Sequence, residues 1–535
     1  MHAINQALKK ATSYISVFIF TISYIQAHCQ RSIDVPNQRT LNWKNQSTFA
    51  DAVIASFAIR VISEDDLKGK SNLPRILLAK LMSKRDIEEV NNTLLKMTVW
   101  GISGSTWAMN KNGDYDFTIT PLTTILYLFG DKPDLLYPKT KDYLLNVLLS
   151  EEGNKYRDTA PKTNGFAKET ENHILMTEGC RYLKNRWKML HGNHDVFYDN
   201  VANGLENKVL ALLERIKTNG LDEFNSIPYI GYTITALLNL EAFGSEKLRT
   251  EARKVLDYMN WTYALGSYQL KHFPPMRRRY EKASIQELTT DYQSIFMKSW
   301  LSFSPLEKYN TNISSGEVHA LMGVCLPYRP ADKVVELIFN KGKGYFVKLG
   351  HGKGACPEIF SAGKHFLLSA GGANRGKSSQ IVARPITLFL NDSSSRLPQI
   401  FHLTGRGTDF MQWNNTGVFK NFACASGKVF VPENFKPMAQ KNNWSIFEAN
   451  DGVVIAVYSS ENIGLMAIFE NIEAKKLLEN LEKYNPNDNE LKTQFQFPNG
   501  QKITYDVNSP QDTWVIKAID GQTVDRDFDK WELIN

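Results

Sequence analysis

The first part of the chain carries apolar residues at spacings of three and four, whereas the last third carries short runs in which apolar and polar residues alternate. The first pattern turns one stripe of a helix toward a core, and the second turns one face of a strand there. Helices are therefore predicted over 49–62, 73–81, 85–99, 120–129, 140–149, 173–187, 200–217, 232–243, 246–265 and 289–302, with a last short one over 331–339. Beyond position 341 the strand-like runs fall at 344–349, 365–369, 386–390, 399–403, 418–423, 428–431, 445–448, 453–458, 464–469, 502–507 and 513–517. Turn residues separate them at regular spacing, which predicts an antiparallel β-sandwich. The expected architecture is multidomain: a helical (α/α) toroid over 40–325, then a linker and the β-sandwich over 326–535.

The ends of the chain modify this picture. Lys9 and Lys10 precede an apolar stretch from 11 to 25, and the small Ala27 follows, so residues 1–28 read as a signal peptide and the mature protein as secreted or periplasmic. That stretch is interrupted by Thr12, Ser13, Ser16, Thr21 and Ser23, and no later stretch has the length of a transmembrane span. Cys29 follows the cleavage region, but Gln26-Ala27-His28 matches a lipobox poorly, so lipoprotein anchoring is the lesser expectation. The formal charge is +7, and removing the two leader lysines leaves +5, a mild basicity that suits an anionic polymer. There is no basic tail, finger spacing or aromatic-basic RNA motif, which argues against nucleic acid as a partner. Cys180, Cys325, Cys356 and Cys424 are too scattered to resemble a metal site and read as structural thiols. His272, His319, His351, His365 and His402 are equally dispersed, so no metal or other cofactor is expected, although Ca²⁺ ligands would leave little trace.

One constellation carries chemistry. Thr170-Glu171-Asn172-His173 is followed, 56 residues after the histidine, by Tyr229 in Glu223-Phe224-Asn225-Ser226-Ile227-Pro228-Tyr229, with Tyr232 close behind and Arg277-Arg278-Arg279-Tyr280 further on. Thr170 is expected to N-cap a helix whose first turn holds His173. Removing a proton next to a carboxylate requires that the carboxylate first be neutralised by donors such as Asn and Arg. A base must then take the proton and an acid must supply one to the leaving oxygen, roles that His and Tyr can fill. The set predicts polysaccharide β-elimination, with Asn172, His173, Tyr229 and Arg279 as catalytic candidates and Glu223, Tyr232, Arg277 and Tyr280 as substrate contacts.

The same segments support other readings. Glu171, Glu178, Asp222 and Glu223 include the two carboxyl groups that a glycoside hydrolase needs, with Glu223 the best candidate acid. A non-catalytic glycan-binding protein is the third reading. Gly371-Gly372-Ala373-Asn374-Arg375-Gly376-Lys377-Ser378 has the spelling of a phosphate-binding loop, but Pro385 and a strand-like run follow where the crossover helix would have to be, so it reads as a sandwich loop.

The predicted architecture and the Thr170–His173 run resemble the secreted toroid-plus-sandwich polysaccharide lyases of the alginate, chondroitin and heparinase-like groups, over roughly residues 80 to 520. The runs through Tyr182-Leu183, Gly220-Leu221-Asp222-Glu223 and Ala236-Leu237-Leu238-Asn239-Leu240 are similar to secreted toroid proteins that carry an ENH motif. In the toroid alginate lyases an adjacent Asn-His pair and a later Tyr carry neutralisation, base and acid roles. The resemblance places these on Asn172, His173 and Tyr229 or Tyr232. It also implies an anionic polysaccharide as partner and a sandwich loop, 351–358, near the toroid mouth. The chain differs from those lyases in Glu171, in Glu223 and in an arginine that follows the tyrosine.

Overall fold

The computed structural model describes residues 35–64, 66–68, 72–98, 115–150, 169–221, 223, 225, 226, 229–272, 274, 292–306, 318–349, 357–371, 386–390, 399–403, 414, 416–449, 452–510 and 513–527. A helical region comes first and a region of antiparallel sheets follows. The expected signal peptide, Cys29, Cys356, His351 and the 372–378 part of the Gly-rich run lie outside the described residues.

The helices are α1 (Thr48–Ala58), α2 (Asn72–Met82), α3 (Ile87–Lys96), α4 (Asp116–Phe129), α5 (Pro138–Tyr143), α6 (Glu171–Leu190), α7 (Leu205–Asn219), α8 (Ile230–Phe243), α9 (Glu246–Gly266), α10 (Tyr292–Leu301), α11 (Val318–Cys325) and α12 (Asp332–Phe339). One apolar core runs through all of this region. Helix α8 lies at its centre, against α4, α6, α9, α10 and α11. That position explains its composition, because nearly every side chain from Ile230 to Glu241 is buried and no polar face remains. Asn239 ties α8 to α4, accepting from the Thr124 hydroxyl at 2.8 Å and donating to the Thr120 carbonyl at 2.9 Å. No described helix is long and apolar enough to cross a membrane.

The sheet region begins at β3 (Tyr345–Leu349), after a small hairpin of β1 (Ser267–Tyr268) and β2 (Lys271–His272) that belongs to the helical part. Next come β4 (Glu358–Ala362), β5 (Phe366–Gly371), β6 (Ile386–Leu390), β7 (Gln399–Leu403), β8 (Val418–Phe419), β9 (Phe422–Ala425) and β10 (Val429–Phe430). They are followed by β11 (Ala439–Lys441), β12 (Trp444–Glu448), β13 (Val453–Ser459) and β14 (Gly464–Glu470), then α13 (Ala474–Tyr484) and β15 (Gln494–Gln496), β16 (Lys502–Tyr505), β17 (Ile516–Ile519) and β18 (Gln522–Thr523). One sheet has the order β10-β7-β6-β5-β4-β3, a second β11-β12-β13-β14-β9-β8 and a third β15-β16-β17-β18. A single apolar core collects Leu368, Leu388 and Phe401 from the first sheet, Ile446, Ile455 and Met466 from the second and Phe495 and Ile503 from the third.

The period of two along a strand gives the first sheet an outer face as well. Val347, Phe360, Ser369, Thr387, His402 and Phe430 form one cross-strand row on it. Val347 and Phe360 pack with Leu265 of α9, so this face is the one turned to the helices. Ser369 and Thr387 are fully buried, and their hydroxyls have no hydrogen-bond partner among the described residues. The last carbonyls of α9, which a helix leaves without intrahelical donors, are met from the sheet side of the chain. The Lys341 amine donates to Ala264 O and the Tyr345 hydroxyl to Leu265 O, each at 2.6 Å.

Candidate active site

The first turn of α6 presents Glu171, Asn172 and His173, and it meets the first turn of α4 and the chain entering α8. Thr170 has the extended backbone of an N-cap, but its hydroxyl is not used as one. It donates instead to Asn172 Oδ1 at 2.5 Å, so Thr170 holds the expected N-cap position and His173 the first turn without a side-chain capping bond. Asn172 is fully buried, and its amide N–H group has no partner among the described residues. An unmet buried donor costs roughly 1–3 kcal/mol, so this position favours any group that can accept from it. Glu171 is also buried, and its Oε1 accepts from the Glu223 backbone N–H at 2.9 Å, fixing the segment that leads to α8.

His173 Nδ1 is hydrogen-bonded to the carboxylate of Asp116, the first residue of α4. Asp116 is buried, and its other oxygen accepts from the Phe117 N–H at 3.1 Å. A carboxylate suits this place because a helix N-terminus carries partial positive charge. The His173 side chain keeps 15% of its surface exposed, whereas that of Asp116 keeps none. Phe117 stands edge-on to His173, with ring centroids 5.5 Å apart.

Tyr229 occupies the N-cap position of α8, and its N–H donates to Ser226 O at 3.0 Å. Its ring lies 6.4 Å from that of His173 and is tilted by 51°. Tyr232, one turn later, packs edge-on against Phe117 at 4.4 Å and His319 at 5.0 Å, with the Arg75 guanidinium 5.9 Å from its ring centre. Tyr229 is therefore the phenol beside the imidazole, and Tyr232 belongs to the packing beneath. Gly231 between them faces the His319 ring, which an added Cβ would approach to 2.8 Å. Burial, with the positive charge of Arg75, holds the His319 pKa well below that of a free histidine.

Glu223 is buried, and Asn225 adopts a left-handed backbone with φ 48°. The Asn225 amide donates to Glu358 Oε1 at 2.6 Å, which joins the segment before Tyr229 to the sheet region. Burial pushes the Glu358 carboxyl up to about 7, against the opposing effect of the Asn225 hydrogen bond. Glu358, expected at the end of a loop, opens strand β4.

Asn172, His173, Tyr229 and Glu223 are thus gathered around two adjoining helix starts. Arg277, Arg279 and Tyr280 lie outside the described residues. Glu178 is directed to a different task, paired with Arg181 at 2.5 Å and 3.8 Å from the Lys208 amine. Asp116 and Arg75 carry no motif in the sequence, and His319 stands there only among the dispersed histidines. Asp116 opens a Thr-rich apolar run with no motif to mark it, and its partner lies 57 residues away. Among the described residues no group of three or more His, Cys, Asp or Glu side chains could hold a metal ion. The arrangement can move protons, since it brings an imidazole, a phenol and buried carboxyl groups to one place. Neither a scan against protein-family models nor a search of curated proteins gives a match to this chain.

Proposed function

We propose that this protein is a secreted polysaccharide lyase that cleaves a uronic-acid-containing polymer by β-elimination, and that its helical region is an (α/α) toroid and its sheet region a β-sandwich. The observation that carries the reading is the approach of Tyr229 to His173, the residue that follows Asn172 and its unmet buried amide. Asn172, with an arginine from 277 to 279, would bind the uronate carboxylate and lower the acidity barrier at C5. His173 takes the C5 proton, and the electron pair forms the C4–C5 double bond as the C4–O bond breaks. Tyr229 protonates the departing glycosidic oxygen, so each proton lost by the substrate is matched by one returned to the leaving chain.

The test incubates the purified protein with alginate, hyaluronan, chondroitin and heparan polymers, following ultraviolet absorbance of unsaturated uronides and release of reducing ends together. Both signals should rise with one polymer class. New reducing ends without absorbance would overturn elimination in favour of hydrolysis through Glu223, and silence across the panel would favour a glycan-binding role.

A further inference from the structure

We propose that Asp116 is the positioning residue of His173, holding its Nδ1 so that Nε2 is the nitrogen that exchanges protons with a substrate. A carboxylate can only accept, so the shared hydrogen must sit on Nδ1 of the ring. In the neutral imidazole the lone pair then belongs to Nε2, which is the form a base requires. Asp116 is suited to this task by its surroundings. It is buried at the first position of α4, and its Oδ1 is already engaged by the Phe117 N–H, leaving Oδ2 for the histidine. Phe117, on the same turn, restrains the ring edge-on. On α6 the histidine carbonyl is held by the Thr177 hydroxyl at 2.8 Å, so backbone and ring are fixed at both ends. Among the described residues, Asp116 and Phe117 from α4 and Tyr229 from the start of α8 face the ring, and the buried carboxyl group of Glu171 lies two residues earlier on the same helix. When Nε2 accepts a proton, the neighbouring carboxylate stabilises the resulting imidazolium.

The inference rests on the β-elimination reading only for the identity of the substrate, because the dyad is a property of the free protein. Its test is a nitrogen NMR titration of the full chain labelled with ¹⁵N-imidazole histidine, with His173→Gln used to assign the resonance among the ten histidines. The expected result is a neutral form protonated on Nδ1 and bare on Nε2. In Asp116→Asn that preference is lost, and the His173 titration midpoint falls by about one pH unit. A neutral form protonated on Nε2, or an Asp116→Asn variant with the wild-type tautomer and midpoint, overturns the proposal. Should the variant not fold, the wild-type tautomer alone decides. With an active polymer in hand, Asp116→Asn should lower kcat/KM about 100-fold or more. Unsaturated product from a protein with the wrong tautomer refutes the dyad and leaves the lyase reading standing. The right tautomer with no unsaturated product refutes the lyase reading alone.

Discussion

Asn225 and Glu358, 133 residues apart, are joined by a 2.6 Å hydrogen bond from the amide of one to the carboxyl group of the other. The bond ties the segment between α7 and α8 to the first residue of strand β4, so the candidate site is braced from the sheet side as well as by Glu171.

That bridge should give stability a measurable pH dependence. The Glu358 carboxyl titrates near 7 in the fold against an ordinary value of 4.5, so the folded state holds its proton more tightly than the unfolded chain does. Its contribution is fully present below pH 4.5 and is lost as pH rises toward 7. Glu358→Gln keeps an acceptor for Asn225 and removes the titration. It should therefore be more stable than the wild type at pH 8, by about 1–2 kcal/mol, and no more stable at pH 4. Urea unfolding at the two pH values checks this.

Tyr229→Phe deletes a single oxygen at the start of α8. If the phenol carries the proton to the leaving group, turnover on the active polymer should fall by about 10²–10⁴-fold. The melting temperature should barely move, which separates loss of chemistry from loss of packing. Retained turnover would transfer the role to another phenol.

Thr387→Val should stabilise the protein. The Thr387 hydroxyl is buried without a partner among the described residues, and valine fills the same space without needing one. Relief of roughly 1 kcal/mol is expected, read as a higher urea midpoint with an unchanged slope.

Tyr345→Phe should act in the opposite direction. It removes the donor that meets Leu265 O at the end of α9 and leaves that carbonyl with one fewer partner. The expected cost is about 1–2 kcal/mol, together with faster protease cleavage near residue 343, where the helical and sheet regions join.

The helical pattern is clear in α3 and α9, where an apolar stripe alternates with a polar one and the buried residues repeat at three and four. It is not clear in α11, because the short segment Val318–Cys325 is almost wholly apolar and buried and has no polar face to mark a period. Helix α13 did have such a face, with Leu477, Leu478 and Leu481 buried, but it interrupts a regular series of strands that dominated the reading of that stretch. Strand β4 is not marked in the sequence pattern, because Glu358, the end of the expected 351–358 loop, opens it and a Gly-rich run precedes it. For the candidate site, the runs holding Asn172, His173 and Tyr229 stand out in the sequence because chemistry-bearing residue types are concentrated there, and the fold places the two runs at adjoining helix starts. Asp116 does not stand out, since its value depends on a contact made only when α4 and α6 pack together.

Gly231 offers a last consequence. Gly231 is the second residue of α8, and any side chain there would collide with the His319 ring. The two positions are therefore sterically coupled, so that a larger residue at 231 would require a smaller one at 319. Each such exchange would also reset the floor on which Tyr232 rests, so variation deep in the core would reach the neighbourhood of the site without altering any residue proposed to act there.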